Sequence, residues 1–292
     1  MQRFNSKALL LNGAVGAVVA TGLGGLVLAN DDVPGVAVLV PVLGAVLYVL
    51  WSMRRYIRRM MADPEPPEGI RKTLETGVHF YKCIKDPAEK TRFRHDVQYF
   101  LLDQTIVGVG VEVTDELRAL VAASAVVLSF GRPWYEWDTT RDILLYPSAF
   151  DEDYNHRSDG RRLGQVGSQG PVIFSAKALR AGFASGTDGH NVGFHAFAHV
   201  LDFDDGQIDG IPANLNWEAI RPWVDQMSAH FTRRDRQGRR KQVLRDYAFT
   251  NEAEFLACAT EMFFEQPRRM KQKAPELYRL LEEFYGQPLA DQ

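Results

Sequence analysis

The hydrophobic positions of this chain follow two different patterns. From Ala8 to Ala29 there are 22 consecutive residues without a charge, and from Val33 to Trp51 there are 19 more. Each run is long enough to cross roughly 30 Å of hydrocarbon as a helix. Asn30-Asp31-Asp32 separates the runs, Arg3 and Lys7 precede the first, and Arg54, Arg55, Arg58 and Arg59 follow the second. The positive-inside rule then puts both ends of the hairpin, and everything after it, on the cytoplasmic side of the inner membrane. A cleaved secretory signal ending at Val27-Leu28-Ala29 is the competing reading. It leaves the second span, and with it a cytoplasmic body, in place.

Asp63-Pro-Glu-Pro-Pro-Glu-Gly69 is an acidic, proline-rich linker that cannot continue a helix, and past it the pattern becomes amphipathic. Residues 70 to 104 carry apolar positions at helical spacing, and Thr114 stands as a cap ahead of a helix over Leu117 to Leu128. Asp142 to Tyr146 and Pro171 to Ser175 are short β-rich runs bounded by Pro147 and Gly170, which predicts two strands. Residues 151 to 170 are polar, glycine-rich and without period, so a surface loop is expected there. Val192 to Leu201 predicts a short buried helix and Glu252 to Glu265 a longer one. The pattern therefore predicts an α+β chain. A transmembrane hairpin with a basic juxtamembrane segment occupies 1–62, a linker 63–69, and a mainly helical domain with a small sheet 70–292.

Charge sharpens this division. The formal net charge of −3 combines +4 for residues 1 to 62, which hold six Lys/Arg and two Asp, with −7 for the remainder. An acidic body has no phosphate-neutralising footprint, which argues against direct nucleic-acid binding. Cys83 and Cys258 are too few for a disulfide scaffold or a cysteine-based zinc finger. The basic run Arg233 to Lys241 reads as a solvated loop before it reads as a lipid or partner contact.

The chemistry-bearing residues lie in the second half. His195 and His199 are four apart in an apolar helix, so their imidazoles project from one face at a spacing that suits two ligands of one metal. Spacing alone leaves a satisfied polar pair as the alternative. Zinc would need a third protein ligand and an open position for water. Asn251-Glu-Ala-Glu-Phe-Leu-Ala-Cys-Ala-Thr-Glu261 offers Glu252, Glu254 and Glu261, and Glu254 shares a helix face with Cys258 and Glu261. Cys258 reads as a small buried helix residue, and His190 as a turn residue ahead of the histidine helix.

Asn191-Val-Gly-Phe-His-Ala-Phe-Ala-His-Val-Leu-Asp202, followed by Asp205-Gly206 and Asp209-Gly-Ile-Pro212, resembles the zinc-helix region of the Mlc titration factor A family of metallopeptidases, zincins of the gluzincin type. The similarity runs through Glu112 to Arg118, Trp134 to Trp137, Ile143 to Pro147, Gly170 to Ser175, Asp246 to Thr250, Asn251 to Phe255, Glu261 to Phe264 and Leu280 to Pro288, in the family's order. It implies that His195, His199 and Glu254 ligate zinc and that Tyr247 steadies an oxyanion. It also implies a peptide or protein substrate, and recognition of a cytoplasmic transcriptional repressor.

The departures from the family are as informative. The residue after the first histidine is a glutamate in the family motif, the general base of peptide hydrolysis; here it is Ala196, whose methyl cannot carry a proton. Ala176 stands where the family tends to have Trp after the strand that pairs with substrate, and Gly164 to Gly170 lacks the acidic and aromatic pattern expected before that strand. Asp202, Asp205 and Glu252 are the candidate carboxylates to stand in for the base. The expectation is a membrane-anchored, zinc-binding peptidase-like protein whose activity is absent or weak. The alternative is a non-catalytic pseudo-peptidase that holds a partner, such as a transcriptional regulator, at the membrane.

Overall fold

A computed structural model describes residues 43–44, 46–48, 57–137, 142–148, 171–237 and 242–291. The chain divides into two compact units, Met1–Pro64 and Glu65–Gln292. In the first unit the described residues 43–44, 46–48 and 57–61 are helical, with Leu43, Val46 and Leu47 exposed. Most of both expected membrane spans lies outside the described residues; among these, no helix is long and apolar enough to cross a membrane. The expected loop over 151–170 and most of the 238–241 part of the basic run also lie outside them.

The second unit is mainly helical with a small parallel sheet, an α+β arrangement. Its elements are α1 (Glu68–Gly77), α2 (His79–Cys83), α3 (Pro87–Asp103), β1 (Thr105–Gly108), α4 (Asp115–Ser129), β2 (Asp142–Tyr146), β3 (Val172–Ser175), α5 (Ala176–Ser185), α6 (Val192–Phe203), α7 (Trp217–Gln237), a 3-10 turn (Asp246–Phe249), α8 (Glu252–Glu265), α9 (Pro267–Lys273), α10 (Pro275–Tyr285) and a last 3-10 turn (Leu289–Asp291). Strands lie in the order β1-β2-β3, with Ile106 beside Ile143 and Leu145 beside Phe174. Ile143, Leu145, Val172 and Phe174 fill the inner face, as the strand period of two requires. β1 falls where no strand is expected from the sequence. Its cue is the β-branched run Thr105-Ile-Val, which follows α3 too closely to stand out from the helical pattern.

α4 is the buried axle of the domain. Thr114 accepts from Leu117 N–H at its start, and every residue from Ala119 to Leu128 is buried. Its run of Ala119, Ala122, Ala123, Ser124 and Ala125 lets neighbouring helices approach closely. α6 uses that space: a Cβ on Gly193 would lie 1.9 Å from Ser124 Oγ and 2.7 Å from Ser124 Cβ. Gly193→Ala is therefore expected to destabilise the domain by about 2 kcal/mol through overpacking. Denaturant midpoints measure it, and Ser124→Gly in the same chain should recover part of the loss; an additive double variant would show that the two residues do not meet.

α6 runs two residues past its expected end, to Phe203, and packs on its other side against α8. Phe197, fully buried, meets Trp137 edge-on and Phe174 at a tilt and fixes which face of α6 turns from the sheet. The histidines occupy the opposite face, toward α8.

Candidate metal centre

Both helices that build the site are capped by asparagine. Asn191 Oδ1 accepts from Gly193 and Phe194 N–H at 3.0 and 3.2 Å, and Asn251 Oδ1 accepts from Glu254 N–H at 2.9 Å. These caps satisfy otherwise orphaned helix-end donors, and Asn191 also bonds Glu261 and Glu265 through its N–H and Nδ2, which holds α6 in one rotation against α8.

That rotation brings three side chains together. His195 Nε2 and His199 Nε2 are 3.2 Å apart, and Glu254 Oε2 lies 3.0 Å from the first and 3.6 Å from the second. All three can hold one ion. His195 and Glu254 are buried, 5% and 2% exposed, while His199 is partly open. Glu254 Oε2 sits in this cluster without a well-directed hydrogen bond. A tetrahedrally bound ion with ligand bonds of about 2.0–2.1 Å has ligand–ligand edges of about 3.3 Å, close to these separations. An orphaned buried carboxylate oxygen facing two imidazole nitrogens is the donor set of a metal site, and the residues present fit one.

A second ring of residues holds the first. His195 Nδ1 meets Glu261 Oε1 at 2.6 Å, and the same oxygen accepts from Arg245 Nη2 at 2.6 Å. Glu261 Oε2 accepts from Asn191 N–H at 2.8 Å. With Nδ1–H occupied by Glu261, Nε2 is the nitrogen His195 presents to His199 and Glu254. Arg245 Nε donates to Cys258 Sγ at 3.1 Å, and Arg245 also contacts His190. Glu265, one turn beyond Glu261, accepts from Gly189 and His190 N–H and from Asn191 Nδ2. The turn entering α6 is thus tied to α8 by two glutamates.

The electrostatics follow from this crowding. Burial pulls the His195 imidazole down, but its bonds to Cys258, Glu254 and Glu261 outweigh that and raise it well above the ordinary histidine value. Burial lowers His199. Burial disfavours the Glu254 carboxylate, yet the two histidines hold it well below the usual range. Tyr247, on the 3-10 turn before α8, sits with its ring 6.1 Å from that of His195. Burial first, then the adjacent Glu254 carboxylate, push its hydroxyl up, so it stays a proton donor at neutral pH.

Of the carboxylates considered from sequence, α8 separates three roles. Glu254 joins the histidines, Glu261 buttresses His195 from behind, and Glu252 is exposed at the helix start. Arg245 and Asn191 complete the site without having been legible as site residues: Asn191 carries only the signal of a helix cap, and Arg245 is a lone arginine after two apolar residues. Ala196 is partly exposed on the edge of α6 beside His195. Neither Asp202 nor Asp205 is turned to replace a base there. Asp205 Oδ1 accepts from Gln207 N–H, and Asp202, fully buried, accepts from Gly210 N–H at 2.9 Å.

The Asp202 bond braces a turn against the metal-site helices. Gly210 has φ +73°, its carbonyl accepts from Trp223 Nε1–H, and it abuts the Glu252 carbonyl so closely that a Cβ would lie 2.2 Å from that oxygen. Burial, with Asp209 adding to it, pushes Asp202 up to about 7, and its Oδ2 has no partner. The folded state therefore binds this proton more tightly than the unfolded chain, and its advantage is full at low pH and lost as pH rises from about 4 through 7. Urea unfolding at pH 5 and pH 8 should show the wild type losing about 2 kcal/mol or more relative to Asp202→Asn between the two. A pH-independent difference would mean that Asp202 is ionised throughout.

The chain is 28% identical over 271 residues to the uncharacterised protein slr2042 of Synechocystis, spanning 86% of this chain and 96% of that protein. It is 27% identical over 215 residues to Mlc titration factor A of Escherichia fergusonii, covering 68% of this chain and 79% of the relative. Against Mlc titration factor A of Pectobacterium atrosepticum it is 29% identical over 194 residues, 61% and 71% of the two chains. The family model described as glucose-regulated metallo-peptidase M90 matches residues 51–286, helices α1 to α10 and the His-His-Glu cluster included, and the chain belongs to that family.

Proposed function

We propose that this protein is a membrane-anchored, cytoplasmic, zincin-like member of the family that binds zinc through His195, His199 and Glu254 and hydrolyses peptides weakly or not at all. The observation that carries the metal assignment is the convergence of His195 Nε2, His199 Nε2 and an otherwise unbonded Glu254 Oε2 within one small buried volume. Zinc at this position supplies a Lewis acid that polarises water and a peptide carbonyl. Glu261 and Arg245 hold His195 in register, and the Tyr247 hydroxyl, kept protonated beside Glu254, would donate toward a developing oxyanion. β3 is an edge strand among the described residues, with backbone groups able to pair with an extended peptide. What the chain lacks is a group at position 196 to take a proton from water and pass it to the leaving amine. The two long apolar runs with basic flanks, and the exposed Leu43, Val46 and Leu47 at the end of the second, support the membrane anchor.

Metal analysis tests the core of this reading. Purified protein should carry about one zinc per chain, and His195→Ala or His199→Ala should lose it. Absence of zinc, with the metal content unchanged in those variants, would overturn the assignment.

Ala196 together with relatives named for titration of Mlc favours a second reading, in which the domain is a partner-holding pseudo-peptidase that retains a transcriptional repressor at the membrane. Pull-down from membranes should then recover a regulator. Retention of none, alongside cleavage of genuine peptides, would eliminate it.

A further inference from the structure

Behind the metal helix lies a cavity of about 190 Å³ whose walls include Asp188, His190, Gln242, Arg245, Cys258 and Arg269. It is separate from the open side of the metal cluster: His199, Glu254, Ala196 and Tyr247 do not line it, and it reaches His195 only through Arg245 and Cys258, on the Nδ1 side of the ring. The polar groups around it are mainly donors. Gln242 Nε2 is buried there without an acceptor among the described residues. Arg245 commits Nη2 to Glu261 and Nε to Cys258, while Nη1 turns toward His190. Arg269 is exposed at the rim with Nη1 on Gln266. Asp188 is the acidic residue of the wall, and its Oδ1 is occupied by the His190 N–H. Two guanidinium groups and an unsatisfied amide N–H₂ around a small semi-enclosed space form a site for a compact ligand that carries acceptors and negative charge.

We propose that this cavity binds a small oxyanion of the carboxylate or phosphate class, held by Gln242 Nε2 and the guanidinium groups of Arg245 and Arg269. Such a ligand completes the hydrogen bonding of Gln242 and gives the exposed Arg269 guanidinium an anionic partner. Neither the metal nor peptide hydrolysis is required for it to bind, so its success or failure is independent of the zinc assignment.

Inorganic phosphate is the probe, titrated into the full-length, zinc-containing protein and followed by ³¹P NMR and calorimetry. Saturable binding of one phosphate per chain is expected. Gln242→Leu and Arg269→Gln should each weaken it at least about tenfold without changing the zinc content, because each removes a donor to a charged acceptor. His199→Ala, which opens the metal cluster but leaves the cavity wall intact, should leave phosphate affinity unchanged. Absence of saturable binding overturns the proposal. So does binding that is lost in His199→Ala and preserved in Gln242→Leu, which places the phosphate on the metal. Equal affinity in the Gln242 and Arg269 variants and the wild type overturns it as well.

Discussion

Ala196→Glu is expected to raise peptide hydrolysis at least about a hundredfold over the given chain at matched zinc occupancy, since a positioned general base contributes about 10² to 10⁴ in rate. Position 196 follows His195 directly on α6 and is partly exposed, so a longer side chain there has a path out of the core. The nearby carboxylates do not already do this work: Asp202 and Asp205 are bonded to backbone N–H groups of the following turn, and Glu252 is exposed at the start of α8. Ala196→Gln is the control. It matches glutamate in size and cannot take up the proton, so it should stay silent. The activity of Ala196→Glu should show an acid limb in its pH profile, from protonation of the new base, and Ala196→Gln none. If Ala196→Glu is silent with zinc bound, the substrate cleft has diverged along with the base. Ala176, buried at the start of α5 where the family tends to have Trp, is the first residue to examine, and the partner-holding reading then takes over.

The site is legible in the sequence to different depths. His195 and His199 can be read because a spacing of four on an apolar helix leaves one arrangement for the two rings, and the structure pairs them at 3.2 Å. Glu254 cannot be separated from Glu252 and Glu261 by spacing, because all three belong to one acidic helix. Their roles part only when α8 packs against α6, tied to it by the bonds of Asn191 to Glu261 and Glu265. Arg245 is invisible beforehand for a stronger reason. It stands in no periodic pattern, and its role depends on Cys258 and Glu261 arriving from 13 and 16 residues further along. Asp202 shows packing choosing among sequence readings: three residues after His199 it is a candidate to stand in for the base, but the helix carries it to the following turn, where it accepts from Gly210 N–H. β1 escapes notice because four residues provide too little alternation to override the helical pattern before them.

Zinc should stabilise the folded domain strongly, and the same three residues should account for all of the effect. His195 faces the carboxylates of Glu254 and Glu261, at 3.0 and 2.6 Å. The unfolded chain has no such preassembled ligand set, so zinc at 100 to 1,000 times its dissociation constant adds about 3 to 4 kcal/mol. For a domain of this size that corresponds to a rise in Tm of about 6 to 16 °C, reversed by a chelator. Glu254→Gln and His199→Ala should abolish the rise. Glu261→Gln should behave differently: it leaves all three ligand atoms in place but weakens the bond that orients His195, so zinc affinity falls about 10- to 100-fold and the shift returns at higher zinc. This ordering separates a ligand from its support. If Glu261→Gln removed the shift at every zinc concentration while Glu254→Gln preserved it, the ion would lie on the Nδ1 side of His195, beside Cys258 and Glu261, the other group of buried residues able to hold a metal there.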